Sequence, residues 1–180
     1  YNVRVARSRS VTGPYVDHRG LEMTDTTDPA GDTGLQITTG YRFADGQGWF
    51  ACGHNSVLQR GNRWFMLHHA RPEHGRTWAY LHVRTMHWTR DGWPVVSPML
   101  YAGETVQPVP KREISGQYDA VFLEHPAGGI ISPSVPLKLG AWGRCVLGEK
   151  PNERTGRWSL TGDNRIRLEA VQWTLELVLI

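Results

Sequence analysis

The chain is poor in cysteine and has no long apolar run. Its two cysteines, Cys52 and Cys145, lie far apart among 180 residues and fit no metal-binding spacing. They are expected to be two buried thiols, and a disulfide between them stays open if the fold brings them together. No stretch is long and apolar enough to cross a membrane, and no window keeps a 3.6-residue apolar period. A membrane partner and long helices are therefore not expected.

The chain also has no strong excess of charge. Its net charge is +3, and the charges are spread along the sequence. The densest basic group is Arg4, Arg7 and Arg9, which is predicted to be a solvated strand edge. Because the aromatic residues do not alternate with a basic stripe, nucleic acid is not an expected partner.

Aromatic residues and turn formers are plentiful. The hydrophobic share is only 39%, but eight Trp, six Tyr and four Phe offer large units of burial. Twenty Gly and eleven Pro divide the chain into short segments, several of which alternate apolar and polar residues. We predict an all-β protein, with strands in the first part at 1–8, 35–39, 41–44, 49–52, 56–59, 64–70, 78–88 and 95–96.

The domain organisation follows from these segments. Consecutive antiparallel strands with tight turns make up most of a β-propeller blade, so residues 1–105 are predicted to be part of a propeller. A linker is predicted at 106–113, which contains Pro108 and Pro110. Residues 114–180 are predicted to form a small antiparallel sheet or barrel, with strands at 118–124, 135–139, 145–147, 158–161, 165–171 and 174–180. A strand pattern already begins at Tyr1 and an apolar strand ends the sequence, so we expect a further N-terminal segment and a C-terminal end cut short.

The most informative stretch is Gly53-His54-Asn55-Ser56, a polar corner between the apolar runs 49–52 and 57–58. Glycine lets the backbone approach another group closely. His54 is expected at a strand end, where folds made of packed sheets place ligand groups. Taken alone, a histidine after a glycine is more often a hydrogen-bonded structural residue than a ligand.

The remaining histidines do not indicate a metal cluster. His68 and His69 are expected on opposite faces of one strand, and the same holds for His82 and His87. These four residues and His74 show no zinc-ligand spacing.

Catalytic acids and nucleophiles are also not evident. The acidic residues of the long loop 17–34 are expected to be solvated surface rather than a pair of catalytic carboxyls; they are Asp17, Glu22, Asp25, Asp28 and Asp32. No serine lies in a nucleophile-elbow sequence, and no glycine motif is suited to a phosphate.

Several blocks, taken in order, resemble the arabinanases of glycoside hydrolase family 43. Together they cover roughly the first 105 residues, and they are Tyr1 to Tyr15, Gly53-His54-Asn55-Ser56-Val57, Trp64 to Arg71, His82-Val83-Arg84, and Asp91 to Val95 running on to Glu104. The chain looks most similar to the larger, two-domain endo-arabinanases, in which a small lipocalin-like β-barrel follows the propeller. The resemblance implies the last blades of a five-bladed propeller, followed by that barrel.

The resemblance also implies an activity. Arabinanases of this family cleave α-1,5-linked L-arabinofuranose chains with inversion, and use two aspartates and one glutamate. These acids lie upstream of the block that begins at Tyr1, so no catalytic residue is assigned to this chain, and its substrate-binding residues stay unassigned. The implied partners are arabinan or arabino-oligosaccharides and an acid-bearing upstream segment, in the same polypeptide or as a separate chain.

The resemblance carries over one site residue, His54. In the family this histidine lies at the central channel beside a calcium ion. Because calcium prefers oxygen ligands, one imidazole is a weak anchor, and water is expected to supply most other ligands. The sequence departs from the family where Ala51-Cys52 replaces an expected Gly-Pro, which concerns the local path of the backbone.

The resulting hypothesis is the C-terminal part of an extracellular or periplasmic arabinan-degrading hydrolase. The alternative is a non-catalytic carbohydrate-binding β-protein, in which aromatic rings stack on sugars. Trp49, Trp93 and Trp142 are the candidates for that role, although core packing is the expectation for each.

Overall fold

The computed structural model is built almost entirely of β-strands, which confirms the all-β prediction. It describes residues 1–27, 33–75, 78–123, 130–162 and 164–179. In these ranges the one α-helix is α1 (Lys111–Ile114), a single turn that begins in the predicted linker 106–113 and ends one residue beyond it. Among the described helical residues, none forms a helix that could span a membrane.

The contacts divide the chain into two compact units. The first contains Tyr1–Leu100 and Val121–Pro133, and the second contains Tyr101–Ala120 and Ser134–Ile180. This division differs from the predicted boundaries in that 121–133 returns to the first unit. As an assignment of domains, the ranges 1–105, 106–113 and 114–180 stay a prediction.

The first unit contains a small and a larger sheet. Strands β1 (Val3–Val5) and β2 (Leu35–Thr38) form an antiparallel pair. The larger sheet has the order β7-β6-β5-β4-β3-β9, and its strands are β3 (Tyr41–Arg42), β4 (Gly48–Arg60), β5 (Arg63–Pro72), β6 (Tyr80–Trp88), β7 (Pro94–Val96) and β9 (Ser132–Pro133). The antiparallel run from β4 to β7 has the connectivity of a propeller blade, whereas the number of blades in the whole protein stays a prediction.

The core of the first unit comes from alternate residues of these strands. Period-two alternation places every second side chain on one face, and the buried cluster is Val3, Ile37, Met66, Met86 and Val96. Val5, Leu35 and Trp64 pack against it. This apolar cluster joins the faces of the two sheets.

Several predicted strands of the first unit differ from those observed. The predicted strand 1–8 is only β1, after which Arg7 makes an isolated bridge to Val16. The predicted strands 49–52 and 56–59 are one strand, β4, because bulges let pairing with β5 continue through the Gly53-His54 corner. The predicted strand 78–88 begins at Tyr80.

The exposure predicted for the basic edge is confirmed for Arg7, which in addition makes defined contacts. Although Arg7 is exposed, its guanidinium lies 4.1 Å from the centre of the Trp93 ring. It also donates a hydrogen bond of 2.8 Å to the carbonyl of Asp91. The negative face of the indole attracts the cation and fixes it against the turn before β7.

The second unit is a six-stranded antiparallel meander. Its strands are β8 (Gly116–Ala120), β10 (Val135–Leu139), β11 (Arg144–Leu147), β12 (Arg154–Gly162), β13 (Arg165–Ala170) and β14 (Trp173–Val178), and each pairs with the next. Strand β8 is shorter than the predicted 118–124, whose last residue lies outside the described range. A closed barrel would require the edge strands β8 and β14 to pair with each other. Among the described residues, the strand pairs do not include this one. The barrel therefore stays a prediction.

The two cysteines are free and buried, as expected. Cys52 lies in β4 of the first unit, and Cys145 lies in β11 of the second. Burial raises the pKa of both thiols, so both are held in the unreactive protonated form.

Candidate functional site

The Gly53-His54 corner is a pair of bulges inside β4. At two points β4 has two residues opposite one residue of β5, namely Ala51 and Cys52, and then His54 and Asn55. The first residue of each pair has a left-handed backbone, with φ of 54° at Ala51 and 50° at His54. Such bulges re-aim side chains and are common beside active sites. His54 therefore lies within a strand, and the prediction of a strand end is wrong.

The bulges bring His54 beside His69. Gly53 pairs with His69 across the strands, and the Nδ1 atoms of His54 and His69 are 3.2 Å apart. Their ring centres are 4.9 Å apart, and the ring of Tyr1 lies 5.8 Å from His69 and 6.2 Å from His54. A Cβ at Gly53 would come within 3.2 Å of the Tyr1 ring. The expected reason for a glycine here, close approach of another group, is confirmed.

The donor atoms at this corner fit an ion that is bound mostly by water better than a calcium site built from protein oxygens. His54 is exposed, and its Nδ1 is engaged by His69, so Nε2 is the nitrogen left for a ligand. Within the described ranges, no group of three or more His, Cys, Asp or Glu residues could hold a metal. Calcium takes six to eight oxygen ligands, which this set does not supply. A single imidazole contact to an otherwise water-ligated ion is what these residues can offer.

A second polar cluster lies buried around Arg84. The Arg84 side chain is 1% exposed, and its guanidinium donates to the carbonyls of Pro98 at 2.7 Å and Ser97 at 3.3 Å. Because arginine only donates, the contact of 2.9 Å to Nδ1 of His82 makes that nitrogen an acceptor. Tyr41 donates to the same Pro98 carbonyl at 2.7 Å, and its ring lies 5.1 Å from the guanidinium carbon. No carboxylate ion-pairs with Arg84 among the described residues.

Burial and the Arg84 charge keep the neighbouring histidines neutral. His68 and His82 are each 1% exposed, and their ring centres are 5.3 Å apart. Burial, assisted by the positive charge of Arg84, lowers the pKa of each to about 4. Burial likewise raises the pKa of Tyr41 to about 12, against the opposing effect of Arg84. At neutral pH the cluster thus holds one cation among neutral groups.

The prediction of solvated loop acids is wrong for Asp17. It is 2% exposed, and its carboxylate accepts hydrogen bonds from the N–H groups of Arg19, Leu21 and Gly34. Burial alone raises the pKa of Asp17, but these N–H groups and the Arg19 guanidinium outweigh it and lower the pKa overall. Asp17 therefore anchors its loop.

Of the other loop acids, the structure describes Glu22 and Asp25. Glu22 is exposed as expected, and Asp25 is partly buried with hydrogen bonds to Thr27. Asp28 and Asp32 lie outside the described residues.

The three candidate tryptophans for sugar stacking differ in burial. Trp93 is 5% exposed, and Trp49 is partly buried with its ring edge-on to His82 at 4.3 Å between ring centres. The expectation of packing is confirmed for these two. It is wrong for Trp142, which is 89% exposed in the turn between β10 and β11.

Two features of the site were missed by sequence reasoning. Opposite faces for His68 and His69 were predicted, but the partner of His69 was not, although counting back from the Arg60–Arg63 hairpin turn pairs 69 with 54. For the Arg84 cluster, the signal is the pair His82 and Arg84 at alternate positions of β6, on the strand face that also carries Tyr80, Met86 and Trp88. Alternation alone does not tell whether this face is buried or solvated, but once it is buried its polar groups must find hydrogen-bond partners.

Known proteins match this chain both in a family model and in individual relatives. The family model of "Glycosyl hydrolases family 43" matches residues 1–94. The chain is 31% identical over 180 residues to the extracellular endo-α-(1→5)-L-arabinanase 2 of Bacillus subtilis, covering 91% of this chain and 37% of that protein. It is 32% identical over 138 residues to the extracellular endo-α-(1→5)-L-arabinanase of Thermotoga petrophila, covering 69% of this chain and 29% of that protein.

A solved structure supports the same relationship along the whole chain. The family 43 glycoside hydrolase YxiA of Bacillus licheniformis superposes with a TM-score of 0.84 at 28% identity. The match covers 99% of this chain and 42% of the other. The chain thus spans well under half the length of the relatives that it matches.

Proposed function

The chain belongs to glycosyl hydrolases family 43, and from this premise we propose that it is part of an inverting enzyme that cleaves α-1,5-L-arabinofuranosidic bonds in arabinan. The two curated relatives are endo-α-(1→5)-L-arabinanases, which supports arabinan as the substrate. Both are named as extracellular, so we propose an extracellular site of action. The observation that carries the proposal is the family match, which runs through the Gly53-His54 corner.

The catalytic carboxylates are proposed to come from outside these 180 residues. Among the described residues, no Asp or Glu joins His54 and His69 in a group that could hold a metal. The buried carboxylate of Asp17 already accepts hydrogen bonds from its own loop. An upstream segment, in the same polypeptide or in a separate chain, would supply two aspartates and one glutamate. The second unit is proposed to be an accessory barrel.

We propose that His54 lines the centre of this active site. Its exposed ring, with Nδ1 held by His69, offers Nε2 to a calcium ion whose other ligands are mostly water. Such an ion, when bound, would supply positive charge that lowers carboxylate pKa values or orients water. The role of this chain is to hold the imidazole in place, through the β4 bulges and the contact with His69.

The first experiment tests where the acids reside. The 180-residue chain and the full-length enzyme are each assayed for the release of arabino-oligosaccharides from linear arabinan. The chain alone is expected to be inactive, and the full-length enzyme active. Proton NMR is expected to show that the sugar released first has the inverted anomeric configuration. In the assembled enzyme, the carboxyls of the general acid and the general base are expected to lie about 6.5–9.5 Å apart. Hydrolysis by the isolated chain would refute the upstream placement.

The second experiment tests His54. His54→Ala in the full-length enzyme is expected to lower arabinan hydrolysis by about 10–100-fold, as for loss of groups that hold or orient a metal. The melting temperature is expected to change little, because the ring is exposed. Wild-type activity in this variant would show that His54 is structural.

The alternative is a carbohydrate-binding protein without hydrolysis. The exposed Trp142 favours it, since an exposed indole can stack on a sugar ring. A full-length protein that binds arabinan without cleaving it, and loses binding in Trp142→Ala, would support this alternative instead.

A further inference from the structure

We infer that His69 is the positioning residue of the Gly53-His54 corner, and that by accepting a hydrogen bond it keeps the proton of His54 on Nδ1 when a cation is bound at Nε2. The observation is the 3.2 Å contact between the two Nδ1 atoms. The inference rests on the proposed function in one respect, the cation at Nε2 of His54.

His69 is the better-fixed member of the pair. It lies in the regular part of β5 and opposes Gly53, and it is partly buried, whereas His54 is exposed. The Tyr1 ring meets the His69 ring edge-on, at 74° between planes. His54 lies on a bulge with φ of 50°, a backbone conformation that non-glycine residues avoid. The bulge presents the His54 ring to a partner that the sheet already holds.

The contact dictates a proton arrangement. Two ring nitrogens at this distance form a hydrogen bond only if one carries a proton and the other offers a lone pair. A neutral imidazole has one protonated nitrogen, so the ring that donates from Nδ1 has a bare Nε2, and the ring that accepts carries its proton on Nε2. The pair therefore always presents one bare Nε2 and one N–H.

A cation at His54 selects one of the two arrangements. Metal ions bind the bare nitrogen of imidazole, so His54 must donate from Nδ1 and His69 must accept. A side chain at position 69 that cannot accept removes this preference. Loss of such an orienting partner typically weakens metal binding 10–100-fold. Asparagine can place its amide oxygen near the position of an imidazole Nδ1, and should therefore restore the arrangement.

The experiment reads the His54 tautomer directly, by two-dimensional NMR of full-length protein with ¹⁵N-labelled histidine. His54 signals are assigned with His54→Ala and followed during titration with Ca²⁺. With Ca²⁺ bound, the wild type and His69→Asn are expected to show His54 protonated on Nδ1, and their Ca²⁺ midpoints are expected to lie within about threefold of each other. His69→Leu is expected to show both tautomers and a midpoint raised about 10–100-fold. His74→Ala, which removes an exposed histidine of the β5–β6 connection, is expected to match the wild type.

The outcomes separate this inference from the proposed function. An unchanged tautomer and Ca²⁺ midpoint in His69→Leu overturn the positioning role. A tautomer change in His69→Leu, without any Ca²⁺ response in the wild type, supports the positioning role and overturns the ion. If His69→Leu does not fold, the wild type and His69→Asn still decide, because a His54 protonated on Nε2 in the Ca²⁺-loaded wild type contradicts the inference.

Discussion

Arg84 is an uncommon residue in that its charge is fully buried without a carboxylate partner in the described chain. Three neutral acceptors, two carbonyls and one imidazole, take its hydrogen bonds, and the Tyr41 ring lies against it. Charge-assisted bonds to backbone carbonyls are stronger than neutral ones, and they offset part of the cost of burial. One guanidinium thereby ties β6 to the segment that follows β7.

Removal of this charge is the first prediction. Arg84→Met leaves the Ser97 carbonyl and Nδ1 of His82 buried without their donor, while Tyr41 still donates to Pro98. The free energy of unfolding should fall by about 2–4 kcal/mol, the cost of two unsatisfied buried acceptors. Urea unfolding at pH 7.5 measures it. Arg84→Lys keeps the charge but not the fork of donors and should lose less, so an equal loss in both variants would contradict the role given to the charge.

At the scale of single elements, β4 shows how far the sequence predicts this site. Alternation and the Arg60–Arg63 turn predict the β4–β5 hairpin, and Gly53 predicts a close approach. The two bulges do not follow from alternation, because Ala51 disfavours a left-handed backbone, and His54, although it tolerates one better than most non-glycine residues, gives no specific signal for it. The one sequence signal for a positive φ is at position 51, where the family resemblance leads us to expect glycine and this chain has alanine. The chain keeps the backbone conformation that glycine suits, with an alanine in place.

Relief of this strain is the second prediction. Ala51→Gly should raise the free energy of unfolding by about 0.5–1 kcal/mol, because glycine adopts a positive φ without the clash of a Cβ atom. Ala170→Gly is the matched control, since Ala170 lies in regular strand β13 without a positive φ. That control should lose about 0.5–1 kcal/mol. Thermal unfolding compares the two, and a similar loss in both would show that position 51 carries no strain.

The loop that begins at Asp17 gives the third prediction. Asp17→Ala deprives three backbone N–H groups of their acceptor, so the free energy of unfolding should fall by about 2–4 kcal/mol. Asp17→Asn keeps the shape but removes the charge, and should lose less. Asp45→Asn, at an exposed turn with one such bond, is the control and should change stability by under about 0.5 kcal/mol. Chemical denaturation measures all three, and a loss at Asp17 no larger than that at Asp45 would contradict an anchoring role.

At the scale of the whole molecule, the two units differ in composition as well as topology. Every histidine that the structure describes lies in the first unit, and the sequence of the second unit contains none. Alternation and turn residues predict the second unit well, because its buried residues are nearly all apolar and keep the period of two. The first unit departs from that pattern where His68, His82 and Arg84 occupy core positions. Sequence periodicity cannot distinguish these polar core positions from a solvated face, because the neighbours that satisfy them come from other strands.

This difference predicts that lowering the pH from 7 to 5 destabilises the first unit and not the second. His68 and His82 have pKa values of about 4 in the folded chain, below the ordinary value of 6.5. Between these values the unfolded chain binds more protons, so stability is complete above about pH 6.5 and falls as the pH drops towards 4. From pH 7 to pH 5 the first unit should lose on the order of 4 kcal/mol, about 2 kcal/mol for each histidine. The pKa values of the carboxyls of Asp17, Glu73 and Asp91 are also lowered in the folded chain. Because carboxyls titrate in this way only near pH 4 and below, the stability that these three groups add is still present between pH 7 and pH 5.

Hydrogen exchange, corrected for the intrinsic effect of pH, locates the loss. Protection of amides in β5 and β6 should fall by roughly 100- to 1,000-fold between pH 7 and pH 5, while amides in β12 and β13 keep their protection. His82→Asn retains an acceptor for Arg84 but cannot titrate, so it should reduce the fall in the first unit by roughly half on the logarithmic scale. Equal losses in both units would place the acid sensitivity outside the histidine cluster. An undiminished loss in His82→Asn would assign it to other groups of the first unit.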